Sequence, residues 1–121
     1  MLWKNSASLF MEVEIKAWAY DIVSALHEIE IFLEDAPDFE IYQKDLRTKR
    51  AIERNLEIVG EAMNRMLKKK PDIGFTNARN IVETRNRIIH GYDSVSDEII
   101  WSIITNSLPK LKEEVERFLG E

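Results

Sequence analysis

Apolar residues recur at helical spacing along most of the chain. From about Glu12 to Glu34, Ile15, Trp18, Ala19, Ile22, Leu26, Ile29 and Leu33 fall on one stripe of an α-helix, with Asp21, Glu28 and Glu30 largely off it. The segment DAPDFE at 35–40 interrupts this pattern, because Pro37 has no N–H to donate and Asp38 is suited to cap the next helix. A second long helix is expected over about Asp45 to Lys70, with a start as early as Phe39, on the repeat Ile52, Leu56, Val59, Met63 and Met66. Gly60 lies inside that repeat. Glycine costs a helix interior about 1 kcal/mol relative to alanine, so a close helix contact beside it is the expected reason for its presence.

Lys68, Lys69 and Lys70 suit the negative end of the helix dipole, and Pro71 ends the helix. A further helix is expected from Thr76 or Asn77, with Ile81, Thr84 and Ile88 as its packing line, Ile89 beside it, and Glu83, Asn86 and His90 close to another line. Gly91 marks its exit. Ser94 with Asp97 resembles a capping pair before a helix at about 96–107, with Ile99, Ile100, Ile103 and Ile104 as apolar positions and Trp101 on the flank. Pro109 suits the first turn of a short terminal helix that turns Leu111, Val115, Phe118 and Leu119 inward. No run alternates long enough for a sheet. The expected fold is therefore all-α, an antiparallel bundle of four or five helices in one domain spanning 1–121.

Composition narrows the function classes. With 121 residues, 45% apolar and 32% charged, the chain can bury one real core, whereas two domains would each be marginal. The absence of cysteine excludes a disulfide scaffold and a thiolate metal site. His27 and His90 lie too far apart for a compact metal motif, and neither metal nor cofactor is expected. No apolar run approaches the length of a membrane span, and the opening MLWKNSASLFMEVE meets acid too early for a secretory signal, so a cytoplasmic protein is expected. Charge is unevenly spread: residues 1–43 carry net −7, residues 44–92 net +6 and residues 93–121 net −4. The basic middle offers a local surface for nucleic acid despite the acidic total.

Candidate chemistry concentrates in RNRIIHGY, which holds Arg85, Asn86, Arg87, His90 and Tyr92. Five residues turn a helix by about 500°, so Arg85 and His90 point roughly 140° apart, and the helix end or a second subunit must close the gap. Together these groups suit phosphodiester chemistry on RNA: Arg can hold two phosphate oxygens and His can move a proton near neutral pH. An RNA 2′-hydroxyl would be the nucleophile. Taken alone, the pair fits equally a helix-terminal histidine and a surface salt-bridge partner. Glu57 and Glu61, one turn apart, could flank a site but read mainly as a solvated or salt-bridged face, and His27 as a surface or interface residue. Lys44, Arg47, Lys49, Arg50 and Arg54 form one basic patch, extended by Arg65 and Lys68, Lys69 and Lys70; Arg79 and Arg87 are further RNA-binding candidates. Trp3 and Phe10 are candidates for a partner surface.

Over residues 12–119 the chain resembles the HEPN superfamily, and specifically its HepT-like toxin ribonuclease branch. The segments that carry the resemblance are IVGEAMNRML, RNRIIHGYDSVSDEIIWSII and LPKLKEEVERFL. Arg85, four residues, His90, one residue and Tyr92 match the branch's central pattern, with Asn86 as the polar residue that commonly follows its Arg. The resemblance implies a symmetric homodimer, a metal-independent endoribonuclease toxin acting on tRNA or mRNA, and a nucleotidyltransferase antitoxin as partner. It further implies catalytic Arg85 and His90, positioning by Asn86, and inhibition by adenylylation of Tyr92, which would place charge and bulk at the cleft. Two other readings compete with it: a noncatalytic helical module that binds RNA or the antitoxin, and a helical subunit with no RNA role.

Overall fold

The computed structural model describes residues 6–91 and 95–120, with side chains from residue 9 onward. Helix α1 spans Ser6–Leu33, starting earlier than the expected Glu12. Ile15, Ala19, Ile22, Leu26 and Ile29 are all buried, and Trp18 and Leu33 pack at the core margin. Burying a side chain of leucine or isoleucine size contributes about 1.5–3 kcal/mol of transfer free energy. The helix ends as Glu34, Asp35 and Ala36 donate to carbonyls three residues back, at 3.1 Å each. Asp38 then accepts from the Ile41 N–H at 2.9 Å and caps α2, Phe39–Lys44.

The long helix begins at Asp45, as expected, and not at Phe39; the residues from Phe39 form a separate helix, because Asp45 serves both. Its own N–H closes α2 on the carbonyls of Ile41 and Tyr42, while its side chain accepts from the Thr48 N–H (3.1 Å) and hydroxyl (2.7 Å) to open α3, Leu46–Lys69. Asp45 is extended (φ −98°, ψ 90°), so the helical path breaks there. Ile52, Leu56, Val59, Met63 and Met66 of α3 are buried against α1 on one side and α4 on the other.

Helix α4, Ala78–His90, begins after Asn77, which adopts a left-handed φ of 62° and makes no side-chain cap. Thr76 replaces that cap with a long-range tie, donating from its N–H (3.0 Å) and hydroxyl (2.8 Å) to Glu114. Phe75 stacks edge-on against Phe118, centroids 5.7 Å apart. Ile81 and Thr84 are buried and Ile88 packs at the core margin, whereas Ile89 is 47% exposed. Gly91 leaves the helix with φ 65°, the conformation glycine adopts without strain.

The last segment is a nearly continuous helix of three parts: α5 over Asp97–Ser102, a π-turn over Ile103–Ser107 and α6 over Leu108–Gly120. The α5 cap is Ser96, accepting from the Ile99 N–H at 3.2 Å, rather than Ser94, which lies outside the described residues. Ile99 faces outward, against expectation, while Ile100, Ile103, Ile104, Leu108, Leu111 and Val115 are buried. Pro109 falls in the first turn of α6 as expected, but no loop precedes it. The Leu108 N–H reaches back five residues to Ile103, a wide turn that carries the chain into a proline without breaking it. Trp101 packs on Phe39 and Tyr42, with centroids 6.0 and 5.2 Å away. The Tyr42 ring is fully buried and its hydroxyl has no hydrogen-bond partner among the described residues; burial is the main cause that pushes its pKa well above the ordinary phenol range. The fold is all-α, and no helix among the described residues is long and apolar enough to cross a membrane.

Candidate active site

The site is built at the α3–α4 contact. A methyl group added at Gly60 would lie 2.2 Å from Arg85 Cβ and 2.7 Å from its Cγ, so only glycine lets the Arg85 stem lie across α3. Beyond that crossing the guanidinium is held on two sides: Nη2 donates to Glu61 Oε2, and Nη1 donates to Asn86 Oδ1 at 2.9 Å. Arg85 Nε is buried with no hydrogen-bond partner among the described residues. Glu61 also accepts from Arg65 Nε at 2.9 Å. That hydrogen bond is the largest cause holding the Glu61 carboxyl below the ordinary range, with the Arg85 charge adding to it.

Two grooves flank this arrangement. One, of about 440 Å³, lies among α1, α3 and α4 and is lined by Arg85, Ile89, Glu61, Arg65 and Trp18, among others. The second, of about 370 Å³, is lined by Asn86, Arg79, Lys68, Asn64 and Glu83, with Leu67 and Val82 as its apolar part. Arg85 opens on the first groove and Asn86 on the second, so the hydrogen bond between them links the two.

His90 is the last residue of α4 and is exposed. It lines neither groove, so within one chain the roughly 140° separation from Arg85 is not closed by the helix end. Tyr92 lies outside the described residues. Of the basic candidates, the structure joins Lys68 and Arg79 to Asn86. Arg87 lies apart, in a separate cavity with Ser102 and Ser107. Lys69 turns toward Glu14 of α1 at 4.0 Å, and Lys70 is the exposed residue that closes α3. Among the described residues Lys68, Lys70, Arg79 and Arg87 form no ion pair.

The patch from Lys44 to Arg54 is largely neutralised. Lys44 meets Glu40 at 3.3 Å, Lys49 meets Asp97 at 3.0 Å, Arg50 meets Glu53 at 2.8 Å and Arg54 meets Glu57 at 3.3 Å. Its basic residues stiffen helix faces and join α3 to α5. His27 is exposed, 3.9 Å from Glu30. Phe10 is 70% exposed, and Trp3 lies outside the described residues. Among the described residues no three His, Asp or Glu side chains are arranged to hold a metal ion. Glu57 and Glu61, which their spacing marked as able to flank a site, both line the first groove; what the spacing did not show is that Glu61 pairs with Arg85 across the helix crossing.

The Ribonuclease HepT-like family profile matches residues 22–118, which span α1 from Ile22 through α6. The chain belongs to this family, within the HEPN superfamily. It is 30% identical over 112 residues to a Methanocaldococcus jannaschii protein named "Putative RNase MJ0127", covering 89% of each chain. It is 33% identical over 97 residues to "Putative RNase TTE0752" of Caldanaerobacter subterraneus, covering 78% of this chain and 87% of that one. "Probable ribonuclease HepT" of Thermococcus cleftensis is 31% identical over 106 residues, with 84% and 93% covered. No solved structure matches the chain.

Proposed function

We propose that the protein is a metal-independent endoribonuclease toxin of a toxin–antitoxin pair, cleaving tRNA or mRNA, with Arg85 and His90 as catalytic residues and Asn86 as a positioning residue. The observation that supports this best is the fixed Arg85 guanidinium beside a groove that gathers Asn86, Arg79 and Lys68. Lys68 and Arg79, free of ion pairs among the described residues, attract the RNA backbone there, and Arg85 takes the scissile phosphate. The 2′-oxygen attacks the adjacent phosphorus as the bond from phosphorus to the 5′-oxygen breaks, which leaves a 2′,3′-cyclic phosphate and a 5′-hydroxyl. His90 accepts the 2′-hydroxyl proton, and the departing oxygen takes one up from imidazolium or water. The Arg85 charge stabilises the phosphorane-like transition state.

A single chain leaves His90 off the Arg85 groove, so the reading includes a symmetric homodimer that brings Arg85 of one copy and His90 of the other to one cleft. It also includes a nucleotidyltransferase antitoxin that adenylylates Tyr92 and blocks RNA entry. The test is cleavage of RNA by purified, unmodified protein in excess chelator. Cyclic phosphate ends should form with the wild type and vanish with Arg85→Ala and His90→Ala while both variants keep their helical circular dichroism. Cleavage unchanged in both variants removes these residues from the mechanism, and tight RNA binding without product under any condition returns the chain to a noncatalytic binding module.

A further inference from the structure

The least expected feature of the site is how completely its arginine is engaged before any substrate arrives. A guanidinium has five N–H donors. In Arg85 one is directed to Glu61, one to Asn86, and the Nε–H is buried without a partner among the described residues, which leaves two for a phosphate. Two donors are what one bidentate contact to a phosphate requires. We propose that Glu61 is a positioning residue of the ribonuclease site: its carboxylate, bridging Arg65 and Arg85, fixes the plane in which Arg85 presents those two donors to RNA.

Three observations carry this. Gly60, adjacent in sequence, removes the side chain that would otherwise stand between the helices, so α3 brings the Glu61 carboxylate and the Arg85 stem together at one crossing. Arg85 is the less exposed partner, at 23% against 36% for Glu61, so its position is set by packing and its orientation by the ion pair. Arg65 supplies a second cation to the same carboxylate, at 2.9 Å. Arg65 shares the Glu61 carboxylate, so that carboxylate is not spent on Arg85 alone and orients it without fully cancelling its attraction for phosphate. A purely competing counterion would have the opposite consequence: removing it would strengthen RNA binding and speed cleavage.

The inference rests on the ribonuclease reading, and the test separates the two. Glu61→Gln keeps the shape and loses the charge; Glu61→Asp keeps the charge on a shorter stem. With an RNA substrate, Glu61→Gln should lower kcat at least tenfold while KM stays the same or falls, and Glu61→Asp should recover part of kcat. In an Arg85→Lys background, Glu61→Gln should cost little further, because Glu61 acts through Arg85. Nitrogen NMR of the Arg85 guanidinium gives a readout independent of turnover: slow Nη rotation in the wild type should become fast in Glu61→Gln. An active wild type whose kcat survives Glu61→Gln, or an Arg85 signal unchanged by it, overturns the role of Glu61. A wild type that cleaves no RNA overturns the ribonuclease reading instead, and the NMR comparison still decides whether Glu61 anchors Arg85.

Discussion

Replacing Gly60 by alanine adds one methyl group at the tightest point between α3 and α4. That carbon would sit 2.2 Å from Arg85 Cβ, 2.7 Å from Arg85 Cγ and 3.3 Å from the Ile81 carbonyl oxygen. Ordinary carbon–carbon contact is about 3.5–4.0 Å, so the two Cβ atoms must part by about 1.5 Å. Arg85 Cβ is fixed to the helix backbone and no rotamer change moves it; α4 itself has to shift. Two energy terms then oppose each other. Alanine gains about 1 kcal/mol over glycine in a helix interior, while overpacking costs about 1–3 kcal/mol, so the net loss of stability should be about 0–2 kcal/mol. Catalysis has no such compensation, because a displacement of about 1 Å in a reacting group can cost about 100-fold in rate. Gly60→Ala should therefore unfold in urea close to the wild type yet cleave RNA at about one hundredth of its rate. Gly120→Ala, where an added carbon meets nothing within 4 Å, is the control and should keep both properties. A Gly60→Ala protein that is more stable than the wild type and equally active would refute the link between this contact and the placement of Arg85.

Three further outcomes are expected. Lys68→Ala with Arg79→Ala should weaken binding of all RNA sequences alike and reduce the slope of log affinity against log salt by about one for each phosphate no longer neutralised, read by fluorescence anisotropy from low to moderate salt. Tyr42→Phe removes a buried hydroxyl that has no partner among the described residues, so it should leave stability unchanged or raise it by up to about 1 kcal/mol in chemical denaturation, against the usual loss for a core substitution. Hydrogen bonds from the Thr48 backbone and then its side chain hold the Asp45 carboxyl below its ordinary value of 3.8. Its stabilisation is thus fully present above that value and is lost as pH falls through the lower folded pKa, so the gap in melting temperature between wild type and Asp45→Ala should close in acid.

Periodicity located the helices because burial follows it: every residue of the α3 repeat from Ile52 to Met66 is in the core. It was incomplete at helix ends, where single hydrogen bonds decide. Asp45 opens the long helix where the repeat placed it but also closes a separate short helix that the repeat did not resolve, and Ser96 takes the place given to Ser94. RNRIIHGY marked Arg85 and Asn86, which a hydrogen bond joins, and Gly60 announced a close approach, but spacing along one helix carries no information on which residue of another helix it meets. The pairing of Arg85 with Glu61 is such a meeting. For the same reason charge counting overstated the patch from Lys44 to Arg54, whose acids lie on neighbouring turns or on α5.

The wide turn at Ile103–Ser107 has a consequence for the length of the chain. By accommodating an additional residue in one turn it rotates everything downstream by about 100° relative to an unbroken α-helix. Ile100 before it, Ile104 within it and Leu111 and Val115 after it are all buried. Thr105 and Asn106 are exposed, and their identity is of small consequence to the core. Deleting either one would turn the wide turn into an ordinary α-helical one and leave Leu111, Val115 and Glu114 on the face they already occupy, because the turn has absorbed the additional residue. At this surface position the helix can lose one residue and still turn the same side chains toward the interior.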